Sequence, residues 1–295
     1  MTPVAPSRTH ERWALVVLLA FTLLSVGGYW NFALHPERIP TTPLAARFYA
    51  ISFGFFARIH IVVAASALLV VLVGRLRARW VPALAAVYGL AFLAEHVGTG
   101  TGFPFGGYGY TALLGPKLGG RVPVLIPLSW FFMALPSWLI VRRALPGSRI
   151  GRVLLGALWL AAWDLALDPA MSYLTPYWRW EVTGAYYGMP WMNLPGWYAT
   201  GLAIMLALDL LGPGLGLERL PTRWMGAYYG VVLLMPLGMV LAAGLWGAVL
   251  ATAGGLAVCA ALTVGAGRRE ARSAPGSVRT PTPDPAGRRI PVEVS

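Results

Sequence analysis

The chain has 295 residues, of which 57% are hydrophobic and 12% charged, and it carries a formal net charge of +12. Soluble domains of this size hold about 25% charged residues, and several windows here approach or exceed about 18 nearly charge-free residues, so a water-soluble globular fold is excluded in favour of membrane-spanning helices. The basic balance does not point to nucleic acid, because the arginines lie in short loops and the tail rather than on one face.

Hydropathy predicts an all-α, polytopic transmembrane helical bundle with eight spans. The first covers roughly Trp13 to Tyr29; no A-x-A-like cleavage site follows it, so it is expected to be a retained anchor. A Pro-rich connection, His35 to Pro43, leads to a second span with its apolar core from Phe53 to Val73. The third runs from Trp80 to Val97, the fourth from Val122 to Val141, the fifth from Val153 to Asp168, and the sixth from Pro195 to Leu211. The seventh and eighth, Trp224 to Ala243 and Leu245 to Val264, are joined by a very tight turn. Residues 1–264 are thus one transmembrane domain, and the polar, Pro-rich segment 265–295 reads as a disordered cytoplasmic tail.

Positive charge gives the expected orientation. With the amino terminus inside, the outer segments hold only Arg38, Arg47, Lys117, Arg121 and Arg179, while most of the remaining arginines fall on inner segments and the tail. Both termini are therefore expected in the cytoplasm of a multi-pass protein of the cytoplasmic membrane. Span counting also places two unusual loops, Gly98 to Arg121 and Met171 to Leu194, on one side. The single cysteine, Cys259, rules out an intramolecular disulfide and a Cys-rich metal site. A short repeat, Gly184-Ala-Tyr-Tyr-Gly188 and Gly226-Ala-Tyr-Tyr-Gly230, reads as coincidence in a chain this rich in Gly, Ala and Tyr.

Each of the two loops follows a helix that ends in acidic residues, and each is dense in glycine and aromatics. Glycines permit close backbone approach and aromatics supply flat apolar walls; an interfacial aromatic belt explains part of this pattern. The belt does not explain the acids. An ionisable group at the centre of a span costs about 2.5–3.5 kcal/mol, so such groups face the bundle interior and serve a function. Glu95, Asp164 and Asp168 are the candidates, the two aspartates sharing one helix face through their i, i+4 spacing. The structural alternatives are ion pairing, with Arg58 or Arg179 as partner, and hydrogen bonding where Pro169 ends the helix. His60 and His96 fit better as satisfied helix-end histidines, and Asp209 as an interfacial residue.

Known catalytic motifs are absent from the chain. Gly98-Thr-Gly-Thr-Gly102 is not a phosphate loop, since no strand precedes it and no Lys-Ser pair follows. There is no H-E-x-x-H, no serine nucleophile elbow, and only four scattered histidines, so no metal is expected. Asp164-x-x-x-Asp168 is like part of a prenyltransferase aspartate motif, but the second cluster that would hold magnesium and diphosphate is missing. What fits is acid catalysis on an apolar substrate. A carboxyl group in apolar surroundings retains its proton and can act as a general acid. Protonating an isolated alkene makes a carbocation, which aromatic faces stabilise.

The series E-H-x-G-T-x-T-G-F-P-F-G-x-Y-x-Y from Glu95, V-P-V-L-I-P-L-S-W from Val122, D-L-x-x-D-P from Asp164, W-x-W from Trp178 and Y-Y-G-M-P-W-x-N-x-x-G-W from Tyr186 resembles the CruF-type carotenoid hydratases. These are integral-membrane carotenoid biosynthesis proteins, a family that includes bisanhydrobacterioruberin hydratase. The resemblance covers Phe92 to Gly201. It implies addition of water across the terminal 1,2 double bond of an acyclic ψ-end group, as in lycopene or γ-carotene, with no redox cofactor. The implied partners are a carotenoid polyene and membrane lipid; self-association into a homo-oligomer stays open.

Residue chemistry then distributes the roles. Asp164 or Asp168 is expected to protonate C2 and Glu95 to position or activate the attacking water. Tyr108, Trp178, Trp180, Glu181, Tyr187 and Trp191 are expected to line the substrate site, the aromatics as walls for the cation, with Asn193 binding water. The rival readings are a lycopene cyclase, which protonates the same polyene but excludes water, and a non-catalytic carotenoid or lipid carrier.

Overall fold

A computed structural model describes residues 8–273. Eight helices in it are long and apolar enough to cross a membrane: α1 (Arg8–Gly28), α2 (Pro43–Leu76), α3 (Val81–Thr101), α4 (Leu125–Ala144), α5 (Arg149–Asp168), α6 (Asn193–Leu215), α7 (Thr222–Ala242) and α8 (Trp246–Ser273). The protein is therefore a multi-pass membrane bundle. Large apolar side chains on the outer surface, among them Trp13, Leu44, Phe48 and Trp246, face where lipid would lie.

Local sequence sets several of the helix boundaries. Thr42 caps α2 by accepting from the Ala45 N–H at 3.3 Å, with Pro43 in the first helical position. At 34 residues α2 is about 51 Å long, so it extends well beyond the expected core from Phe53 to Val73. Gly102, at φ +79°, ends α3 in a left-handed turn that a side chain would strain. Pro169 has no N–H, and the carbonyl of Leu165 that it would have bonded instead accepts the Tyr186 hydroxyl at 2.7 Å. Past Pro169 the helix continues as one π turn, Pro169–Tyr173. At the other end of the chain α8 runs to Ser273, past the expected tail boundary at Gly265; the rest of that tail lies outside the described residues.

Helix α4 is the hub, packed against α2, α3, α5, α6 and α7. Its Trp130, Phe132, Met133, Leu135, Trp138 and Leu139 are fully buried. The α5–α6 contact is close because small residues meet there: a Cβ on Gly201 would lie 3.2 Å from that of Ala157.

Four short strands join the helices. β1 (Tyr108–Tyr110) pairs antiparallel with β4 (Trp178–Trp180), and β2 (Lys117–Leu118) pairs with β3 (Val122–Pro123). The first pairing locks the two glycine- and aromatic-rich loops to each other, so their predicted location at one end of the bundle holds. The two Gly-Ala-Tyr-Tyr-Gly segments have unlike structures, a turn closed by isolated bridges in one case and part of α7 in the other.

Two expectations about charges change, and a third gains a partner. Asp209, towards the C-terminal end of α6, is buried in a bidentate pair with Arg152, Nε to Oδ1 at 2.5 Å and a second guanidinium nitrogen to Oδ2 at 2.8 Å. Arg58 donates to the carbonyl of Gly54 at 2.7 Å, and Arg179 points outward, so neither pairs with the interior acids. His60 meets the Thr22 hydroxyl at 3.0 Å instead of a backbone group.

Candidate active site

The acids come together at the loop end of the bundle. Glu95 lies in the last two turns of α3, Asp164 and Asp168 on one face of α5, and Asn193 at the first position of α6. All four are buried, Asp164 completely. The strand pairing closes this end. Tyr108 stands opposite Trp180 and Tyr110 opposite Trp178, while the intervening pair Gly109 and Arg179 is exposed. Period-2 alternation thus turns four aromatic rings inward over the acids and one cation outward. The rings contact each other across the ladder, with centroids 5.2 Å apart for Tyr108–Trp180 and 5.9 Å for Tyr110–Trp178.

Glu95 is held as an acceptor. One carboxylate oxygen receives the hydroxyls of Tyr108 and of Tyr110, the latter at 2.8 Å, and the other receives the Trp130 indole N–H at 2.9 Å. Three donors to one carboxylate offset much of its lost hydration. Burial, with the Glu95 charge beside them, holds both phenols well above the ordinary tyrosine range, so they remain donors. Trp130 in turn stacks on Trp197 at 4.0 Å, with an interplanar angle of 19°.

The aspartates form a second unit. The Asn193 amide donates to Asp164 Oδ2 at 2.7 Å and to Asp168 Oδ2, so one nitrogen bridges both carboxyl groups. Asp168 Oδ1 also receives the Trp178 indole N–H at 2.9 Å. Asp164 Oδ1 has no hydrogen-bond partner in this buried position. No basic side chain pairs with Glu95, Asp164 or Asp168 among the described residues. Nor do three His, Cys, Asp or Glu side chains cluster there closely enough to hold a metal ion.

Between the two units lies a cavity of about 30 Å³ walled by Glu95, Asp168, Asn193, Trp130, Trp180 and Trp197, with Phe105, Tyr108, Tyr110, Ile126, Ser129, Leu167 and Trp178 completing it. By the criterion that one water needs about 10–15 Å³, it admits one or two water molecules. Asp168 lines it; Asp164 lies behind, reached through Asn193.

The site therefore gathers Glu95, Asp164, Asp168, Tyr108, Trp178, Trp180 and Asn193. Three of the expected lining residues lie elsewhere. Trp191 is 78% exposed. Glu181 is exposed and spends its backbone N–H on the Gly107 carbonyl at 2.9 Å. Tyr187, at φ +50°, stacks edge-on with Tyr173 and Tyr186 and reaches towards Gly247 of α8. Conversely, Tyr110, Trp130 and Trp197 line the cavity and are not among the residues expected there from sequence. Each belongs to a sequence segment quoted above, and the Tyr108-x-Tyr110 and Trp178-x-Trp180 alternation was the available signal for the first.

The family profile described as "Carotenoid biosynthesis protein" matches residues 56–260. A bisanhydrobacterioruberin hydratase from Haloarcula japonica is 34% identical over 141 residues, 46% of this chain and 47% of that protein. The chain thus spans about half the length of that curated relative. No solved structure matches it.

Proposed function

This chain belongs to the carotenoid biosynthesis protein family, and from that membership we propose that it is a carotenoid hydratase, adding water across the terminal 1,2 double bond of an acyclic ψ-end group. The observation that carries the reading is the water-sized cavity with Glu95 on one wall and Asp168 on another. A cyclase must exclude water from its cation; here a buried carboxylate and an amide border a space that fits little else.

In the proposed mechanism Asp168 is the general acid. Two carboxyl groups drawn to one amide nitrogen, with no cation beside them, are best accommodated with a proton held between them. Asp168 transfers that proton to C2 of the end group, and the π electrons leave a tertiary cation at C1. Trp180, Trp130 and Trp197 offer ring faces to that charge. A cavity water attacks C1 and gives up a proton to Glu95, which its three donors hold in place. Returning that proton to the aspartate pair completes the cycle, so one water is consumed and no redox step occurs. Asp164 acts through Asn193 and Asp168 as a positioning residue.

Expression in a lycopene-producing bacterium, with pigments analysed by mass spectrometry and a parallel culture in heavy-oxygen water, tests this. The expected product is the intact polyene plus one or two waters, carrying the heavy oxygen. Replacing Asp168 by Asn is expected to lower the rate about 100-fold or more, the range for a lost general acid. An isomer of unchanged mass would establish cyclisation instead, and unaltered pigment with both lycopene and γ-carotene would favour a carrier.

A further inference from the structure

The carboxylate cavity is too small for a polyene end, so the hydrocarbon must be held elsewhere. A second cavity of about 340 Å³ lies at the loop end between α1, α2 and α7, within the size range of ligand sites. Its walls are almost wholly apolar and include Phe53, Phe56 and Met239; Leu24, Phe32 and Phe48, all exposed to the lipid side, form its mouth. A third cavity, about 60 Å³ and bounded by Trp163, Phe132 and Val232, shares walls with both of the others. It shares Tyr177 and Met235 with the large chamber, and Ser129, Leu167 and Trp178 with the carboxylate cavity.

We propose that the α1–α2–α7 chamber binds the chain of an acyclic polyene drawn sideways from the bilayer, with its end group threaded past Tyr177 and Met235 to Asp168. The inference rests on the reading of this protein as one that acts on such a polyene. Three features select that occupant. The walls along the path are mostly apolar, and His60, Ser129 and Tyr177 among them already bond to Thr22, Ile126 and Phe53, so a hydrocarbon breaks few polar contacts there. The path shares walls with the acid cluster through the middle cavity, which a surface crevice for a lipid tail has no need to do. It also narrows inward, from 340 to 60 Å³, retaining the body of a linear chain while its end advances to the edge of the carboxylate cavity. The partition is built from one tethered and one pliant side chain. The Tyr177 hydroxyl donates to the Phe53 carbonyl at 2.9 Å, while Met235 is unbranched and repacks readily.

Gly28 gives a clean test, because it lines the chamber and a Cβ there would meet nothing within 4 Å. Its neighbour Gly27 has equal room but does not line the chamber. Wild type, Gly28→Phe and Gly27→Phe, purified in detergent from a lycopene-producing strain, are compared for pigment retained per protein and for hydrated product formed in the cells. Filling the chamber is expected to lower retained pigment about tenfold or more by removing the apolar contact that holds it. Hydration is expected to fall with it, while Gly27→Phe matches wild type. Equal retention and product in Gly28→Phe would overturn the chamber, whatever wild type makes. If wild type retains pigment without hydrating it and Gly28→Phe loses that pigment, the chamber stands and the hydratase reading falls. Thermal melting of the variants identifies a fold defect, in which case Ser52→Leu, also on the chamber wall, supplies the same comparison.

Discussion

The Asn193 amide nitrogen stands 2.7 Å from Asp164 Oδ2 while also donating to Asp168, so a residue at the start of α6 fixes both carboxyl groups of α5. Replacing Asn193 by Ala removes that bridge and leaves buried oxygens unsatisfied. We expect a stability loss of about 1–3 kcal/mol and a fall in hydration of about 100-fold, comparable to deleting one preorganised donor. Melting temperature and product yield per folded protein measure the two separately. A variant with unchanged yield would remove Asn193 from the mechanism.

Tyr108 and Tyr110 supply a pH dependence. Burial raises both phenols well above their ordinary value, so each binds its proton more tightly in the folded protein. Their stabilising contribution is complete below the unfolded value of about 10. Above it, the unfolded chain releases protons that the folded chain keeps, and stability falls as pH rises. Thermal unfolding in detergent is expected to show this alkaline loss, and the Tyr108→Phe, Tyr110→Phe double variant to show a shallower slope. An identical slope would mean that other groups dominate.

Gly196 is a packing requirement rather than a turn. A Cβ there would lie 2.6 Å from the Pro104 carbonyl oxygen and 2.8 Å from the Phe105 ring, and Phe105 lines the carboxylate cavity. Gly196→Ala must displace the Pro104–Phe105 loop. Displacement of that size near reacting groups can cost about 100-fold in rate, with overpacking adding about 1–3 kcal/mol of destabilisation. Product assays and melting curves of the alanine variant decide it.

Arg152 and Asp209 serve the fold at the other end of the bundle. Arg152→Ala leaves Asp209 with the Trp138 indole at 3.2 Å and the half-exposed Arg149 at 3.3 Å. Loss of one partner of a buried pair costs about 3–5 kcal/mol. The yield of folded protein is therefore expected to drop sharply while product formed per folded molecule is kept. A selective loss of activity would mean that the two ends are coupled.

The outward Trp191 and the inward Trp178 make a matched pair of tests. Trp191→Ala is expected to change hydration less than about threefold, as for exposed positions generally. Trp178→Phe keeps a ring but removes the N–H that meets Asp168 at 2.9 Å, and is expected to cost about tenfold. The reverse order would favour Trp191 as the wall of the site. Both side chains are tryptophans in the same loop, and nothing local distinguishes them; only the strand pairing turns one inward.

Eight spans, the interior acids and the shared end of the two loops were legible in the sequence, because each follows from the free energy of placing single residues in a bilayer. Hydropathy and charge cost are carried by the residue itself, and the i, i+4 geometry that joins Asp164 to Asp168 lies within one helix. The tertiary structure decided what depends on direction and on residues far apart in the chain. It joined β1 to β4, gave Glu95 its donors from Tyr108, Tyr110 and Trp130, and turned Trp191 and Tyr187 away. It buried Asp209 against Arg152, put Asp168 rather than Asp164 on the cavity wall, and opened the chamber between α1, α2 and α7. None of these is a property of one segment, since a side chain's partner is fixed only when the helices carrying both have packed.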